Sequence, residues 1–299
     1  MRRTPLLRAA AAVTLLALTG CGSKTAGPGG TGAEPRCPSA TGTPQPLPAA
    51  TPTRDGVTIT GVSGGGHGCR SGCLFADFTV TNPERTAMTY TVTFRFRPAP
   101  GDGTGIARQT VPGVGPGRTV RGSVVLGELP AGASAVAGVS VEQVRSVPTA
   151  EAPSQGGPCP ASGTRLYPDQ GDAAMGLRVV GLHLENCGTR PYALDGRPAL
   201  RVLGADHAPV TGVRIVPGES VATSTGADGT PRPLTLAPGE RAYAALVWRN
   251  TTEAGAPVNA PYVRVWARPG AAPVTVTPEL DLGTTGRLGV GPWKKEDAG

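Results

Sequence analysis

A histidine and two cysteines lie within a glycine-rich stretch of the chain: His67, Cys69 and Cys73. Cysteine and histidine at short spacing can bind zinc, but a closed structural zinc site uses four ligands and only three lie here. Neighbouring cysteines also form disulfides in oxidising compartments. We therefore expect a disulfide between Cys69 and Cys73. A metal site and pairing of either cysteine with Cys37 are the alternatives.

Three further patterns resemble parts of catalytic or metal-binding sites. Residues 61–65 contain the Gly-x-Ser-x-Gly string of a nucleophile elbow, but glycines follow where that motif needs a helix. The chain has three histidines, which provide few candidates for a histidine-based catalytic triad, and His183 fits an ordinary position on a strand face. Asp169 and Asp172 lack the spaced oxygen ligands of a calcium loop. We therefore expect no enzymatic activity, no metal and no cofactor.

A candidate binding face lies in the string "YVRVWARP". Alternation along a strand places its aromatic and basic residues on one side and its small aliphatic residues on the other. Tyrosine, tryptophan and arginine are enriched at binding hot spots. The candidate face consists of Tyr262, Arg264, Trp266 and Arg268. The alternative is a surface ladder in which arginine packs over tryptophan through cation–π contact.

The start of the chain is typical of an export signal. Three arginines precede an apolar run over residues 9–18, which is too short to span a bilayer as a helix. Residues 18–21, Leu-Thr-Gly-Cys, resemble the lipobox of a bacterial lipoprotein. We therefore expect residues 1–20 to be a signal peptide and Cys21 to carry a diacyl anchor. Two acyl chains hold a protein at a membrane, so the predicted location is the extracytoplasmic face of the cell membrane.

Composition narrows the class of protein further. The formal net charge is +7, and three of the arginines lie in the expected signal. This mild and scattered charge, together with export, argues against a nucleic-acid partner. The 45 glycines and 32 prolines punctuate short β-branched runs, which is typical of a turn-rich β protein.

The chain divides by composition into a stalk and a first domain. Residues 21–54 are polar and rich in Pro, Gly, Thr and Ser, which predicts a disordered stalk. Residues 55–147 contain runs of strict alternation. One run puts Leu74, Ala76, Phe78 and Val80 on a single face, and the next does so for Tyr90, Val92, Phe94 and Phe96. This pattern predicts antiparallel sheet packed on one side.

The second half follows a similar plan. Residues 148–158 are predicted to be a linker, residues 159–293 a second domain built of short strands, and residues 294–299 a tail. Several short strands at this spacing favour a sandwich of the immunoglobulin kind. The predicted fold is therefore all-β, with two tandem immunoglobulin-like antiparallel β-sandwich domains.

The second half also resembles a known family. The strings "LHLENCGTRPYALDGRPALRVL" and "LAPGERAYAALVWRN" are similar to the secreted actinobacteria-type domain of unknown function 4232. The matching positions are Asn186, Gly188, Leu194, Gly196, Pro198, Leu236, Pro238 and Gly239. The resemblance implies a β-sandwich on an exported protein, and it implies no activity.

The resemblance also implies a cysteine pair. Members of the family carry one cysteine near the domain start, which corresponds to Cys159, and another shortly after the Asn-x-Gly. In this chain Tyr192 occupies that second place, and Cys187 is the cysteine available for pairing. If Cys159 pairs with Cys187 and Cys69 with Cys73, and Cys21 is acylated, then Cys37 is left as a reactive thiol in the stalk.

These observations predict a lipid-anchored extracellular protein that acts as an interaction or structural module at the cell envelope. Its partner would be an envelope protein or polymer, and the sequence does not define an oligomeric state. Two alternatives stay open. One is an envelope enzyme whose site is assembled from residues distant in sequence. The other is a thiol or metal sensor at residues 67–73.

Overall fold

A computed structural model describes residues 53–64, 73–98, 105–128 and 136–296. All of these residues belong to one compact unit, Cys37–Gly299. The predicted acylation site Cys21, the thiol of Cys37 and the partners His67 and Cys69 lie outside the described residues. The predicted Cys69–Cys73 disulfide and the sensor hypothesis therefore stay predictions. Among the described residues, no helix is long and apolar enough to cross a membrane.

Two separate apolar cores lie within this unit, and the parts around them are called the first and second domain after the predicted ranges. The first domain contains six strands in two three-stranded sheets. The strands are β1 Val57–Gly64, β2 Cys73–Thr81, β3 Met88–Pro98, β4 Gly105–Val114, β5 Thr119–Glu128 and β6 Val136–Pro148. One sheet has the order β1-β2-β5 and the other the order β4-β3-β6. All of their pairings are antiparallel.

Side chains from both sheets form one core, as the alternation predicts. On β2, Ala76, Phe78 and Val80 are buried, and on β3 the buried set is Tyr90, Val92, Phe94 and Phe96. The rings of Phe78 and Phe94 meet across the core with 4.8 Å between their centroids. Gly122 on β5 leaves room for this packing, because a Cβ atom there would lie 2.6 Å from the Phe78 ring.

The second domain contains fourteen short strands. They are β7 Thr164–Pro168, β8 Asp172–Ala174, β9 Leu177–Asn186, β10 Tyr192–Leu194, β11 Ala199–Leu203, β12 Arg214–Pro217, β13 Leu234–Leu236, β14 Arg241–Arg249, β15 Asn259–Ala260, β16 Tyr262–Trp266, β17 Val274–Val276, β18 Leu280–Asp281, β19 Arg287–Val290 and β20 Lys294–Lys295. Two 3-10 helices complete the described secondary structure, at Thr149–Glu151 and Gly218–Ser220.

A seven-stranded sheet and a three-stranded sheet enclose the core of this domain. The large sheet has the order β12-β19-β14-β9-β7, with β20 paired to β14 and β8 paired to β9. The small sheet has the order β11-β16-β17. The pairing of β12 with β19 is parallel. Both sheets contribute to one core, which contains Leu182, Leu184, Leu246, Trp248 and Val263. The fold is therefore all-β, and the immunoglobulin-like assignment of each domain stays a prediction.

The residues on both sides of the second domain take part in its structure. In the predicted linker 148–158, the amide of Ser154 donates to the carbonyl oxygen of Leu166 at 3.2 Å. At the other end, Trp293 is 2% exposed and donates from its indole nitrogen to the carbonyl oxygen of Ala267 at 2.9 Å. The domain continues past residue 293, because β20 pairs with β14 in the segment that the sequence predicts to be a tail.

Candidate functional site

Strand β16 positions the candidate binding face. Val263 and Val265, with Ala267 just after the strand, point into the core of the second domain. The alternate residues therefore lie on the opposite side, as the sequence predicts. Strand β11 runs beside β16, and pairing of Ala199 with Trp266 sets the register. This register places Arg201 directly opposite Arg264 on the neighbouring strand.

Tyr262 does not belong to the exposed face that the sequence predicts. It is 3% exposed, because the first domain covers it. Its hydroxyl oxygen accepts a hydrogen bond of 3.2 Å from the amide of Ser146 on β6. Tyr262 also packs with Val147 in a small buried cluster, and the ring of His207 stacks on it at 4.4 Å. An external partner therefore cannot reach Tyr262 while the two domains are joined.

Arg264 also contacts the segment between the domains. Its guanidinium forms an ion pair with Glu151, a residue of the predicted linker. The second carboxylate oxygen of Glu151 accepts a hydrogen bond of 2.8 Å from the Thr275 hydroxyl. One carboxylate thus ties β16 and β17 to the 3-10 helix that follows the first domain.

A second ion pair joins the two domains directly. The guanidinium of Arg145, on β6, donates two parallel hydrogen bonds of 2.6 Å to the two carboxylate oxygens of Glu279. Bidentate pairs of this kind are the stronger and more directional ion pairs. The bonded carboxylate raises the pKa of the Arg145 guanidinium. Together with Tyr262 and Glu151, this pair fixes the first domain against the second.

Trp266 lies beside two arginines, Arg201 and Arg264, on the part of the face that remains open, and these three residues are called the Trp266 stack below. The guanidinium carbons of Arg201 and Arg264 lie 5.6 Å and 5.5 Å from the centroid of its ring. Both distances are within the range of cation–π attraction. The ladder expected as the alternative is therefore present. Trp266 is partly exposed and Arg201 is exposed, so the stack still offers an aromatic surface and a positive charge to solvent.

Arg268 lies apart from this stack, beside Tyr192 of β10. Its guanidinium carbon is 4.1 Å from the centroid of the Tyr192 ring, and Nη1 donates to the carbonyl oxygen of Ala193 at 3.1 Å. Burial raises the pKa of the Tyr192 hydroxyl, and the charge of Arg268 acts against that rise. The predicted face is therefore divided. Tyr262 lies at the domain interface, Arg264 and Trp266 belong to the Trp266 stack, and Arg268 contacts Tyr192.

His183 forms a cluster that the sequence did not indicate. Its Nδ1 lies 2.5 Å from Oε1 of Glu296 and its Nε2 lies 3.6 Å from Oδ2 of Asp169. The imidazole stacks on Tyr167 at 5.2 Å and meets the edge of Tyr243 at 5.4 Å. The neighbouring carboxylates, Asp169 first and then Glu296, raise the pKa of His183 against the effect of burial.

Asp169 has a structural role in the turn after β7. One of its carboxylate oxygens accepts hydrogen bonds of 2.9 Å from the amides of Gly171 and Gly181. Burial acts to raise the pKa of this carboxyl, but the nearby His183 and the hydrogen bonds from Gly181 and Gly171 outweigh burial and lower the pKa. Within the described part of the chain, no three His, Cys, Asp or Glu side chains are grouped so as to hold a metal ion.

The cysteine pair implied by the family resemblance is confirmed. Cys159 and Cys187 form a disulfide whose Cα atoms lie 5.7 Å apart. The backbone supports the same junction, because the amide of Gly188 donates to the carbonyl oxygen of Gly163 at 2.9 Å. The start of the second domain is therefore attached covalently to the end of β9.

Comparison with known proteins extends only to the second domain. No curated protein matches the chain. A family model matches residues 159–294. This range runs from the first cysteine of the disulfide to the first residue of β20 and includes the strands β7 to β19. The C-terminal part of the chain is thus similar to the family described as Domain of unknown function (DUF4232).

Proposed function

We propose that this chain is a lipid-anchored binding protein of the cell envelope. In this proposal, Cys21 is acylated, the segment up to residue 54 spaces the domains from the membrane, and the second domain binds a negatively charged envelope component. The Trp266 stack is the binding surface. The observation that carries the proposal is the contact of the partly exposed Trp266 ring with both Arg201 and Arg264.

Charge at the stack supports an acidic partner. Arg264 is paired with Glu151, whereas Arg201 forms no ion pair with any acidic residue of the described ranges. Arginine can donate five hydrogen bonds in a planar fork that fits carboxylate and phosphate groups. A partner that brings such a group to Arg201 would meet both the charge and the flat ring of Trp266.

The contacts between the domains support the proposal at one end of the face. Tyr262 and Arg264 lie on the same side of β16 as Trp266, where Ser146 and Glu151 fix them. Binding surfaces whose side chains are already fixed lose less conformational entropy when a ligand arrives. In this proposal the first domain holds β16 in place, and the second domain contacts the partner.

Tryptophan fluorescence of the full chain tests the binding surface. Trp248 and Trp293 are each 2% exposed, so collisional quenching reports mainly on Trp266. We expect iodide to quench more strongly than caesium, because two arginines flank that ring. We expect an anionic polysaccharide such as hyaluronate to protect Trp266 from iodide and neutral dextran to have no effect. Trp266→Phe should abolish the differential quenching.

A matched pair of arginine variants separates this surface from general charge. Arg201→Gln should weaken hyaluronate binding about tenfold, the cost of one lost charged hydrogen-bonding group. Arg249→Gln removes the same charge from another strand and should leave binding unchanged. Equal losses in the two variants, or protection by dextran, would disprove binding at the stack.

Anchoring is tested on the same chain. Mass spectrometry of the protein from the membrane fraction should find residue 21 as the first residue, carrying two acyl chains. Cys21→Ala should remove the lipid label and release the protein or leave it unprocessed. If a fatty-acid analogue still labels the Cys21→Ala protein, the anchor lies elsewhere.

A further inference from the structure

A cleft opens between the edges of the two sheets of the second domain. Strand β7 is the last strand of the large sheet, and β17 is the last strand of the small sheet. No further strand bridges these two edges within the described residues, and a cleft of about 250 Å³ lies there. Ser162 and Thr164 line it on the β7 side, and Gly270, Ala271 and Ala272 line it on the β17 side.

The floor of the cleft is apolar. Leu166 and Leu184 reach it from the large sheet, and Ala267 and Val274 reach it from the small sheet. The first three of these side chains are buried members of the domain core. The cleft therefore gives a ligand access to an apolar surface that belongs to the domain core.

The rim of the cleft carries one fixed positive charge. Arg268 and Tyr192 both line it, and they are in contact with each other as described above. The stacking on Tyr192 and the hydrogen bond to Ala193 hold the guanidinium in place. A guanidinium has five N–H groups, and the contacts with Ala193 and Tyr192 do not use all of them. The remaining donors are available to a ligand.

We propose that this cleft binds a small organic anion, with its carboxylate or phosphate on Arg268 and a compact apolar body against Leu166, Leu184 and Val274. Ligand sites are typically apolar concavities with a few fixed polar groups, and this cleft has that composition. Its volume lies below the roughly 300–1,000 Å³ of pockets for drug-sized ligands, so the ligand is expected to be small. The site is distinct from the Trp266 stack and does not depend on the proposed function.

Binding of benzoate to the full chain tests this site, with benzyl alcohol as a neutral probe of the same shape. Isothermal titration should give a Kd for benzoate about tenfold lower than that for benzyl alcohol, as expected for one charge-assisted interaction. Phenyl phosphate distinguishes the two anionic groups. Whichever of benzoate and phenyl phosphate binds more tightly identifies the group that the site prefers. Inorganic phosphate should bind more weakly than phenyl phosphate, because it lacks the apolar body.

Three variants locate the binding. Arg268→Gln should raise the Kd for benzoate about tenfold and leave that for benzyl alcohol unchanged. Ala272→Leu should fill the cleft and weaken both probes. Arg249→Gln is the control, because it removes the same charge from outside the cleft and outside the Trp266 stack, and it should change neither. Each variant is first checked for the thermal midpoint of the unchanged protein.

Several results would overturn the proposal. Equal affinity for benzoate and benzyl alcohol would show that Arg268 does not recognise an anion. Equal losses in Arg268→Gln and Arg249→Gln would indicate general charge attraction. Absence of measurable binding by any probe would also overturn it.

If Arg268→Gln unfolds, two measurements still test the site. They are the loss of binding in Ala272→Leu and the difference in Kd between the charged and the neutral probe on the unchanged chain. Tryptophan quenching should not change on benzoate binding, so failure here leaves the proposal for the Trp266 stack standing.

Discussion

His183 lies between two carboxylates that come from distant parts of the sequence. Asp169 follows β7, whereas Glu296 lies 113 residues beyond the histidine and reaches it from the segment after β20. The other groups against the imidazole are the phenols of Tyr167 and Tyr243. Local sequence predicts that His183 lies on a strand face, as it does, but contains no sign of either carboxylate. Pairing of β7 with β9 brings Asp169 to His183, and long-range pairing of β14 with β9 and β20 brings Glu296 there.

The His183 cluster predicts that part of the stability depends on pH. Its folded-state pKa is raised, so its contribution is fully present below the unfolded-state pKa of about 6.5. The contribution is lost as the pH rises through the higher folded-state value. We expect the free energy of unfolding of the unchanged protein to exceed that of His183→Gln by more at pH 6 than at pH 9.

His207 supplies the control for this prediction. Burial lowers its pKa, so its effect has the opposite sign and costs stability as the pH falls through about 6.5. The free energy of unfolding of His207→Gln should therefore rise relative to that of the unchanged protein at low pH, in contrast to His183→Gln. Urea unfolding at the two pH values measures both. A difference between His183→Gln and the unchanged protein that does not vary with pH would contradict the prediction.

Among the elements, β16 shows what alternation can and cannot predict. The period of two correctly separates Val263 and Val265 from Arg264 and Trp266. It does not distinguish a side that faces solvent from one that faces a second domain. Tyr262 is buried because β6 and the segment after it lie against that end of the strand. Contacts with residues more than a hundred positions away leave no periodic signal in the sequence of the strand.

The disulfide also acts at the level of the element, because it closes a loop around β7 and β9. Cysteines 159 and 187 are separated by 28 positions. In the chain-entropy model, such a loop stabilises the fold by roughly 3–4 kcal/mol through the unfolded state. We expect the double variant Cys159→Ser, Cys187→Ser to lose about this much in urea unfolding while keeping its strands, since Gly188 still bonds to Gly163.

A redox control accompanies this prediction. Reduction of the unchanged protein should lower its free energy of unfolding by a similar amount and should leave the double variant unaffected. A loss below about 1 kcal/mol would indicate that the unfolded chain retains structure around this loop and that the entropic account does not apply.

At the scale of the whole molecule, the two domains are expected to unfold together. Three sets of contacts connect the second domain to the first domain and the segment that follows it. They involve Tyr262, the Arg145–Glu279 pair and Glu151. Scanning calorimetry should therefore show one transition for both domains. Glu151→Gln combined with Glu279→Gln should separate it into two, because each change removes a charged hydrogen bond worth about 1.5–3 kcal/mol before allowance for solvent.

Glu142→Gln is the matched control for this experiment. Glu142 also pairs with an arginine, Arg95, but both residues lie in the first domain. Its loss should lower the midpoint of the transition without dividing it. A single undivided transition in the double variant would show that the apolar contacts of Tyr262 and Val147 are sufficient to couple the domains.

The burial of Trp293 has a consequence for the order of events during synthesis. All six strands of the first domain are complete by Pro148, so this domain can fold while the rest of the chain is still being made. The second domain cannot close its core until Trp293 has been added and β20 can pair with β14. Until then Arg145, Ser146 and Val147 lack their partners in the second domain, and the nascent protein presents to its surroundings a surface that the finished protein conceals.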